Sequence, residues 1–191
     1  MSITRRRFIV VAASGAASAA YGAGIAAADE TAWNALRSDG AIVLFRHATA
    51  PGIGDPAGMR IGDCATQRNL NEAGRAEARG IGQAFRDRSV SVGKVLTSQW
   101  CRCAETAELA FPGAVTPEPA FNSFFEDRAQ SGPQTEAARS ILGQWRGPGA
   151  LVVVTHQVNI DALTGAYTAS GEGVVVRVAD GAISVIGRIK P

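Results

Sequence analysis

The chain has 191 residues, of which 46% are hydrophobic and 19% are charged, enough to bury the core of one domain but not comfortably of two. Its 19 Lys and Arg outnumber its 17 Asp and Glu, and three of the arginines are consecutive near the N-terminus. Beyond that run no basic stretch remains of the kind that nucleic-acid-binding proteins display. Composition therefore disfavours a nucleic-acid partner. After residue 28 no apolar run is long enough to predict a membrane span.

The first 28 residues have the order of an export signal. Arg5, Arg6 and Arg7 precede a mildly apolar run, rich in Ala and Gly, that closes with three alanines at 26–28. This order is typical of a cleaved twin-arginine signal peptide, whose partner is the twin-arginine export machinery. The alternative is an uncleaved membrane anchor, although the glycines and alanines make the run weakly hydrophobic. We expect residues 29–191 to form the working domain, in the periplasm or secreted.

Strand and helix signals alternate along residues 29–191. In chain order we predict a helix over 31–37, a buried strand over 41–45, a loop rich in Gly and Pro over 51–66, a helix from Asn71 to about residue 88, a strand over 92–98 and a helix over 101–110. There follow a short strand from 115, a helix over 133–145, a strand over 151–155, a helix over 160–166 and a hairpin of 174–178 and 182–188. This order predicts a single three-layer α/β/α domain whose sheet is mostly parallel with an antiparallel edge.

Both histidines of the protein follow the end of a predicted buried strand. His47 comes directly after Arg46, and His156 follows the valine-rich strand late in the chain, while Arg102 lies in the first turn of a helix after a third strand. Ligands of open α/β sheets bind at this edge, so we expect two imidazoles and two guanidinium groups to converge. Planar cationic donors near helix N-termini suit a phosphoryl group and its transition state. The pattern predicts phosphoryl transfer.

Four segments, in the same order, resemble the motifs of the histidine phosphatase superfamily, also called phosphoglycerate mutase-like. They are Arg46-His47-Ala48, residues 70–78, residues 98–107 and the valine strand that ends at His156. Ala48 replaces the glycine of the family motif, and residues 157–159 replace glycines found in many members. These departures bear on substrate shape more than on the reaction. Shorter strings, such as 67–70 and 155–160, look closest to the bacterial envelope branch that includes lipopolysaccharide core heptose phosphate phosphatases.

The resemblance implies a phosphohistidine mechanism without a metal or other cofactor. His47 would be the nucleophile, and Arg46, Arg102 and His156 would bind the equatorial oxygens of the phosphoryl group. His47 would have to be neutral while His156 stays cationic, which requires different environments for two identical side chains.

The resemblance also implies a carboxylic acid, on a loop between the Arg102 helix and the His156 strand, that protonates the leaving oxygen. Four carboxylates lie there, of which Glu126 is our first candidate and Asp127 the second. The alternative for this pair is a helix cap or a surface salt bridge with Arg128. In the earlier loop, Arg60 and Arg68 are candidates for binding the part of the substrate that lies beyond its phosphate. The alternative is that both are ordinary solvated charges of a loop.

The three cysteines are Cys64, Cys101 and Cys103. An oxidising compartment permits one bridge and leaves one thiol. Neighbours in a Cys-x-Cys pair rarely bridge to each other, which favours Cys64 joined to Cys101 or to Cys103. Cys64 with Cys101 is the pairing we predict. With two histidines and no Cys-x-x-Cys pair, a structural zinc site is not expected.

The sequence thus predicts an exported phosphomonoesterase for a small phosphorylated substrate. The narrower resemblance implies that this substrate is an envelope sugar phosphate. Two alternatives stay open. One is a phosphomutase, which needs a bisphosphate or a retained intermediate. The other is a non-catalytic protein that binds a phosphate or sugar phosphate and lacks a competent acid.

Overall fold

The computed structural model describes residues 30–113 and 115–191, so the predicted export signal lies outside the described residues. The helices are 30–35 (α1), Glu72–Asp87 (α2), Cys101–Ala110 (α3), Ser131–Gln144 (α4) and Gln157–Thr164 (α5). The strands are Ile42–Arg46 (β1), Val92–Thr97 (β2), Val115–Pro117 (β3), Ala150–Thr155 (β4), Gly173–Ala179 (β5) and Ala182–Ile189 (β6). Short 3-10 turns occupy Cys64–Thr66, Pro119–Phe121 and Arg128–Gln130. Within the described ranges no helix combines the length and the apolar character that crossing a membrane requires.

The strands form one six-stranded sheet in the order β3-β2-β4-β1-β5-β6. β1 to β4 run parallel where they pair, while β5 lies antiparallel to β1 and β6 antiparallel to β5. The mostly parallel sheet with an antiparallel edge is therefore confirmed. The closing hairpin turns through Asp180 and Gly181, both with positive φ, as a two-residue turn that matches the strand twist requires.

Alternate side chains of β1 enter two separate cores, one on each face of the sheet. Val43 and Phe45 pack with residues of α1, α2 and α3, whereas Ile42 and Leu44 pack with residues of α4 and α5. This period of two is the strand repeat, and β1 and β4 are apolar throughout because helices cover both faces. The predicted three layers are present.

The helix after β4 differs from its prediction in both bounds. It begins at Gln157, directly after His156, and ends at Thr164, whereas the sequence predicted 160–166. Gly165 has a φ of 69°, and its N–H bonds to the Asp161 carbonyl, which is the left-handed glycine cap that ends many helices. The earlier start places His156 at the helix N-cap.

Candidate active site

The two histidines meet at the carboxyl ends of the neighbouring strands β1 and β4. Arg46 and Thr155 are partners in the parallel register, so His47 and His156 both lie one residue beyond it. The His47 N–H donates to the Thr155 carbonyl over 2.9 Å. The ring centroids are 5.5 Å apart, edge to face, and both side chains are buried. The sheet therefore creates the pair of imidazoles that the sequence predicted.

Hydrogen bonds fix which nitrogen of His47 carries the proton. Nδ1 lies 2.8 Å from the Ala48 carbonyl oxygen, which can only accept, so Nδ1 is the N–H and Nε2 holds the lone pair. Arg102 confirms this assignment from the other side, because its Nε donates to His47 Nε2 over 3.2 Å. The basic nitrogen thus faces the guanidinium group of Arg102.

Burial and positive charge keep both imidazoles neutral. Burial, together with Arg102, Arg68 and Arg46, lowers the pKa of His47 to about 3. Burial also lowers the pKa of His156 well below 6.5, and the same guanidinium groups act in the same direction. Burial and the nearby guanidinium groups thus disfavour the cationic His156 that the sequence analysis expected. A phosphate dianion bound among them would raise its pKa again.

Three guanidinium groups line one cavity with the histidines. Arg46 Nη1 donates to the Thr168 carbonyl over 2.9 Å, while Arg46 Nε is buried and has no hydrogen-bond partner among the described residues. Arg68 Nε donates to the Gly54 carbonyl over 2.8 Å. Guanidinium groups that line a cavity together with a basic nitrogen suit the oxygens of an incoming anion.

Asp55 is a site residue that sequence reasoning missed. Both of its carboxylate oxygens accept from Arg102 Nη1, at 2.8 and 3.1 Å, and the pair is buried. Trp100 Nε1 and the Arg68 N–H also donate to this carboxylate. Burial raises the pKa of Asp55, but the bonds from Arg102 and its neighbours outweigh burial and lower it overall. Asp55 is thus an ionised group that orients Arg102 toward His47. Its only sequence signal was an acid in a loop without periodicity.

The two acid candidates line the cavity, whereas the loop residue Arg60 lies away from it. Glu126 and Asp127 are exposed and both line the cavity, but the Asp127 carboxylate accepts from the Ala129 N–H over 3.1 Å and caps a 3-10 turn. Glu126 therefore has the freer carboxylate. Arg60 does not line the cavity: its side chain is 68% exposed and pairs with Asp63 over 2.6 Å.

The sequence of the segment that carries most of these side chains also matches a known family. Residues 42–122, which carry His47, Asp55 and Arg102, match the model described as the histidine phosphatase superfamily (branch 1). This match places residues 42–122 in the histidine phosphatase superfamily. Phosphatases and mutases make up this superfamily, which supports phosphatase activity in general for this chain. A comparison with curated proteins finds no match.

Several phosphatases of known structure share the fold of this chain. The protein histidine phosphatase SixA complexed with tungstate matches with a TM-score of 0.55 and 16% identity, over 79% of this chain and 97% of that one. The alpha-ribazole phosphatase from Shigella flexneri matches with a TM-score of 0.57 and 14% identity, over 76% and 94%. A mycobacterial glucosyl-3-phosphoglycerate phosphatase complexed with VO3 matches with a TM-score of 0.55 and 13% identity, over 78% and 96%. At these identities the likeness shows the fold alone.

A disulfide between Cys64 and Cys101 joins the long loop to the first residue of α3. Gln67 Oε1 strengthens the junction by accepting from the Cys101 N–H over 2.9 Å. Cys103 is free and buried, with Sγ 3.4 Å from His156 Nε2, because it lies on the inner side of α3. Burial raises the pKa of its thiol to about 12. The bridge thus holds the Arg68 loop against the turn that carries Arg102.

The lowered pKa of His47 predicts a pH-dependent stability. Between its unfolded value near 6.5 and its folded value of about 3, the unfolded chain binds a proton that the native state excludes. The free energy of unfolding should therefore fall as pH drops from about 7 to about 5, by up to about 1.4 kcal/mol per pH unit for this group. Urea denaturation of the wild type and of His47→Gln at both pH values measures the difference. Equal pH dependence in the two proteins would contradict the assignment.

Proposed function

We propose that the protein is a phosphomonoesterase that works through a phosphohistidine on His47. One observation carries the proposal: a neutral imidazole whose Nε2 holds a lone pair and lies within hydrogen-bonding distance of a guanidinium group, in a cavity with two further arginines. A neutral nitrogen is a nucleophile, and guanidinium groups stabilise the charge of a phosphoryl group in transfer.

The residues divide the reaction into two displacements. Arg46, Arg68 and Arg102 bind the phosphate oxygens, and Arg102 Nε–H turns from His47 Nε2 to an oxygen as the ester enters. Nε2 then forms a bond to phosphorus while the bond from phosphorus to the ester oxygen breaks, and Glu126 gives its proton to that oxygen. The Nδ1–H bond to Ala48 stabilises the imidazolium that results. Water next attacks phosphorus and gives a proton to Glu126, while the bond from phosphorus to Nε2 breaks and returns the lone pair to His47. Inorganic phosphate then leaves.

A competition between water and an alcohol tests this scheme. Every ester forms the same phosphoenzyme, from which the leaving group has already departed. In water containing glycerol, the ratio of inorganic phosphate to glycerol phosphate should therefore be the same for every ester. A ratio that changes with the leaving group would show direct displacement and overturn the proposal. A phosphomutase would instead return the phosphoryl group to a second hydroxyl of its own substrate, and a binding protein would release neither product.

Glu126 should matter most where the leaving oxygen is basic. A general acid acts in proportion to the negative charge that develops on that oxygen. We therefore expect Glu126→Gln to slow alkyl esters by about 10²-fold or more and p-nitrophenyl phosphate far less. Asp127→Asn, which keeps a capping oxygen, is the matched control and should be mild on both. Equal losses on both ester types for Glu126→Gln would indicate positioning, and a selective loss in Asp127→Asn would move the assignment to Asp127.

We propose further that the enzyme is exported as a folded protein by the twin-arginine route. The order of Arg5 and Arg6, apolar run and alanines supports the proposal. Replacing both arginines with lysine keeps the charge and should leave the precursor in the cytoplasm of a bacterial host. Cell fractionation and immunoblotting measure the distribution. Normal delivery of this variant to the periplasm would contradict the route.

A further inference from the structure

The cavity of the active site is much larger than a phosphoryl group requires. Its volume is about 690 Å³, within the range of cavities that hold a whole small-molecule ligand. The arginines and histidines give it a polar floor. Its rim presents more apolar than polar surface and includes Ile53, Met59, Phe125, Val158 and Tyr167, beside the carboxylates of Glu126 and Asp127. The alcohol part of a bound ester would lie against this rim.

Exposed apolar side chains are concentrated at this rim. Within residues 30–113 and 115–191 the exposed large hydrophobic side chains are Ile53, Ile61, Phe125, Tyr167 and Val185, and three of these five line the cavity. Ile53 is 91% exposed, Tyr167 71% and Phe125 42%. Leaving such surface in water is unfavourable, and when it clusters around a cleft it marks a binding surface.

Arginine side chains contact the rim at three places, twice through its backbone and once through an aromatic ring. Arg68 Nε donates to the Gly54 carbonyl, one residue after the rim isoleucine. Arg46 Nη1 donates to the Thr168 carbonyl, one residue after the rim tyrosine. The guanidinium group of Arg128 lies over the rim phenylalanine, 5.3 Å from its ring centroid. An apolar surface that is already positioned loses little entropy when a ligand covers it.

We propose that the substrate is a phosphomonoester of an apolar alcohol, an alkyl or aryl phosphate rather than the phosphate of a polyhydroxylated sugar. The inference rests on the proposed phosphatase activity and adds the substrate class to it. Covering Ile53, Phe125 and Tyr167 with hydrocarbon removes apolar surface from water on both sides of the contact, whereas sugar hydroxyl groups would lose their hydration against the same surface. The narrower family resemblance implies a sugar phosphate, so the two expectations are opposed and can be separated.

A series of primary alkyl phosphates tests the proposal, because chain length varies while the basicity of the leaving oxygen stays nearly constant. Ethyl, butyl, hexyl and octyl phosphate are compared with glucose 6-phosphate below the concentrations at which micelles form. We expect kcat/KM to rise about twofold to fourfold with each methylene until the rim is covered, with glucose 6-phosphate close to ethyl phosphate. A flat series, or glucose 6-phosphate above hexyl phosphate, would overturn the proposal.

Rim variants locate the effect. Ile53→Ser, alone and together with Phe125→Ser and Tyr167→Ser, should reduce kcat/KM by a factor that grows with chain length. Ile61→Ser is the matched control, an exposed isoleucine that does not line the cavity, and should leave the series unchanged. A chain-length dependence that survives the rim variants would overturn the proposal. Hydrolysis without chain-length dependence refutes the substrate class alone, whereas hydrolysis of no ester refutes the phosphatase activity as well.

Discussion

Replacing His47 with alanine is expected to lower phosphomonoester hydrolysis by at least about 10⁴-fold. The substitution removes Nε2, the atom that forms the bond to phosphorus, so the route itself is lost and not merely slowed. Steady-state assays with p-nitrophenyl phosphate measure the effect. Its p-nitrophenolate group leaves well without a general acid, so this ester gives the most sensitive readout.

The loss must be separated from unfolding. His47 is buried and bonded to the Ala48 carbonyl, so far-ultraviolet circular dichroism and the urea midpoint of the variant need to match a folded protein. His47→Gln, which keeps a polar side chain of similar length, provides a second variant with the same expected inactivity. A folded variant that retains more than a few per cent of the activity would exclude His47 as the nucleophile.

Arg102→Lys is expected to reduce kcat/KM by about 10²-fold to 10³-fold, the effect of losing a donor aimed at developing charge. Arg102 contacts His47 through Nε and Asp55 through Nη1. The planar guanidinium group makes both hydrogen bonds at the same time because they come from different nitrogens. Lysine keeps the positive charge but offers a single nitrogen, so it cannot make both contacts and still bind a phosphoryl oxygen.

Arg60→Lys is the matched control for this substitution, because its guanidinium group is exposed and lies off the cavity. It should change kcat/KM little. Binding of vanadate, a phosphate mimic, should weaken in Arg102→Lys and stay unchanged in the control. If the two variants lose activity equally, Arg102 has no special role in the reaction.

The fold and the imidazole pair could be predicted because both follow from local patterns. β1 and β4 are unbroken apolar runs, which a sheet covered on both faces requires, and a parallel sheet brings the ends of such strands together. His47 and His156 therefore had to be neighbours once the sheet was right. The placement of Arg102 followed from the helix after β2 in the same way.

The remaining features depend on contacts that have no local signal. Asp55 reaches Arg102 across 47 residues from a loop without hydrophobic periodicity, so only the folded loop reveals the pair. The charge of His156 depends on burial and on how many guanidinium groups surround it, and neither is encoded near residue 156. Arg60 and Arg68 were candidates from the same loop, but Arg60 faces solvent and Arg68 lines the cavity.

The central claim is that phosphate passes through His47, and rapid quenching of turnover tests it most directly. Enzyme mixed with excess p-nitrophenyl phosphate is quenched in alkali, where phosphohistidine survives, and its peptides are mapped by mass spectrometry. The mechanism predicts one phosphoryl group on the peptide that contains His47, formed within a single turnover and absent from His47→Ala. A phosphoryl group on another residue, or turnover without any phosphorylated peptide, would contradict it.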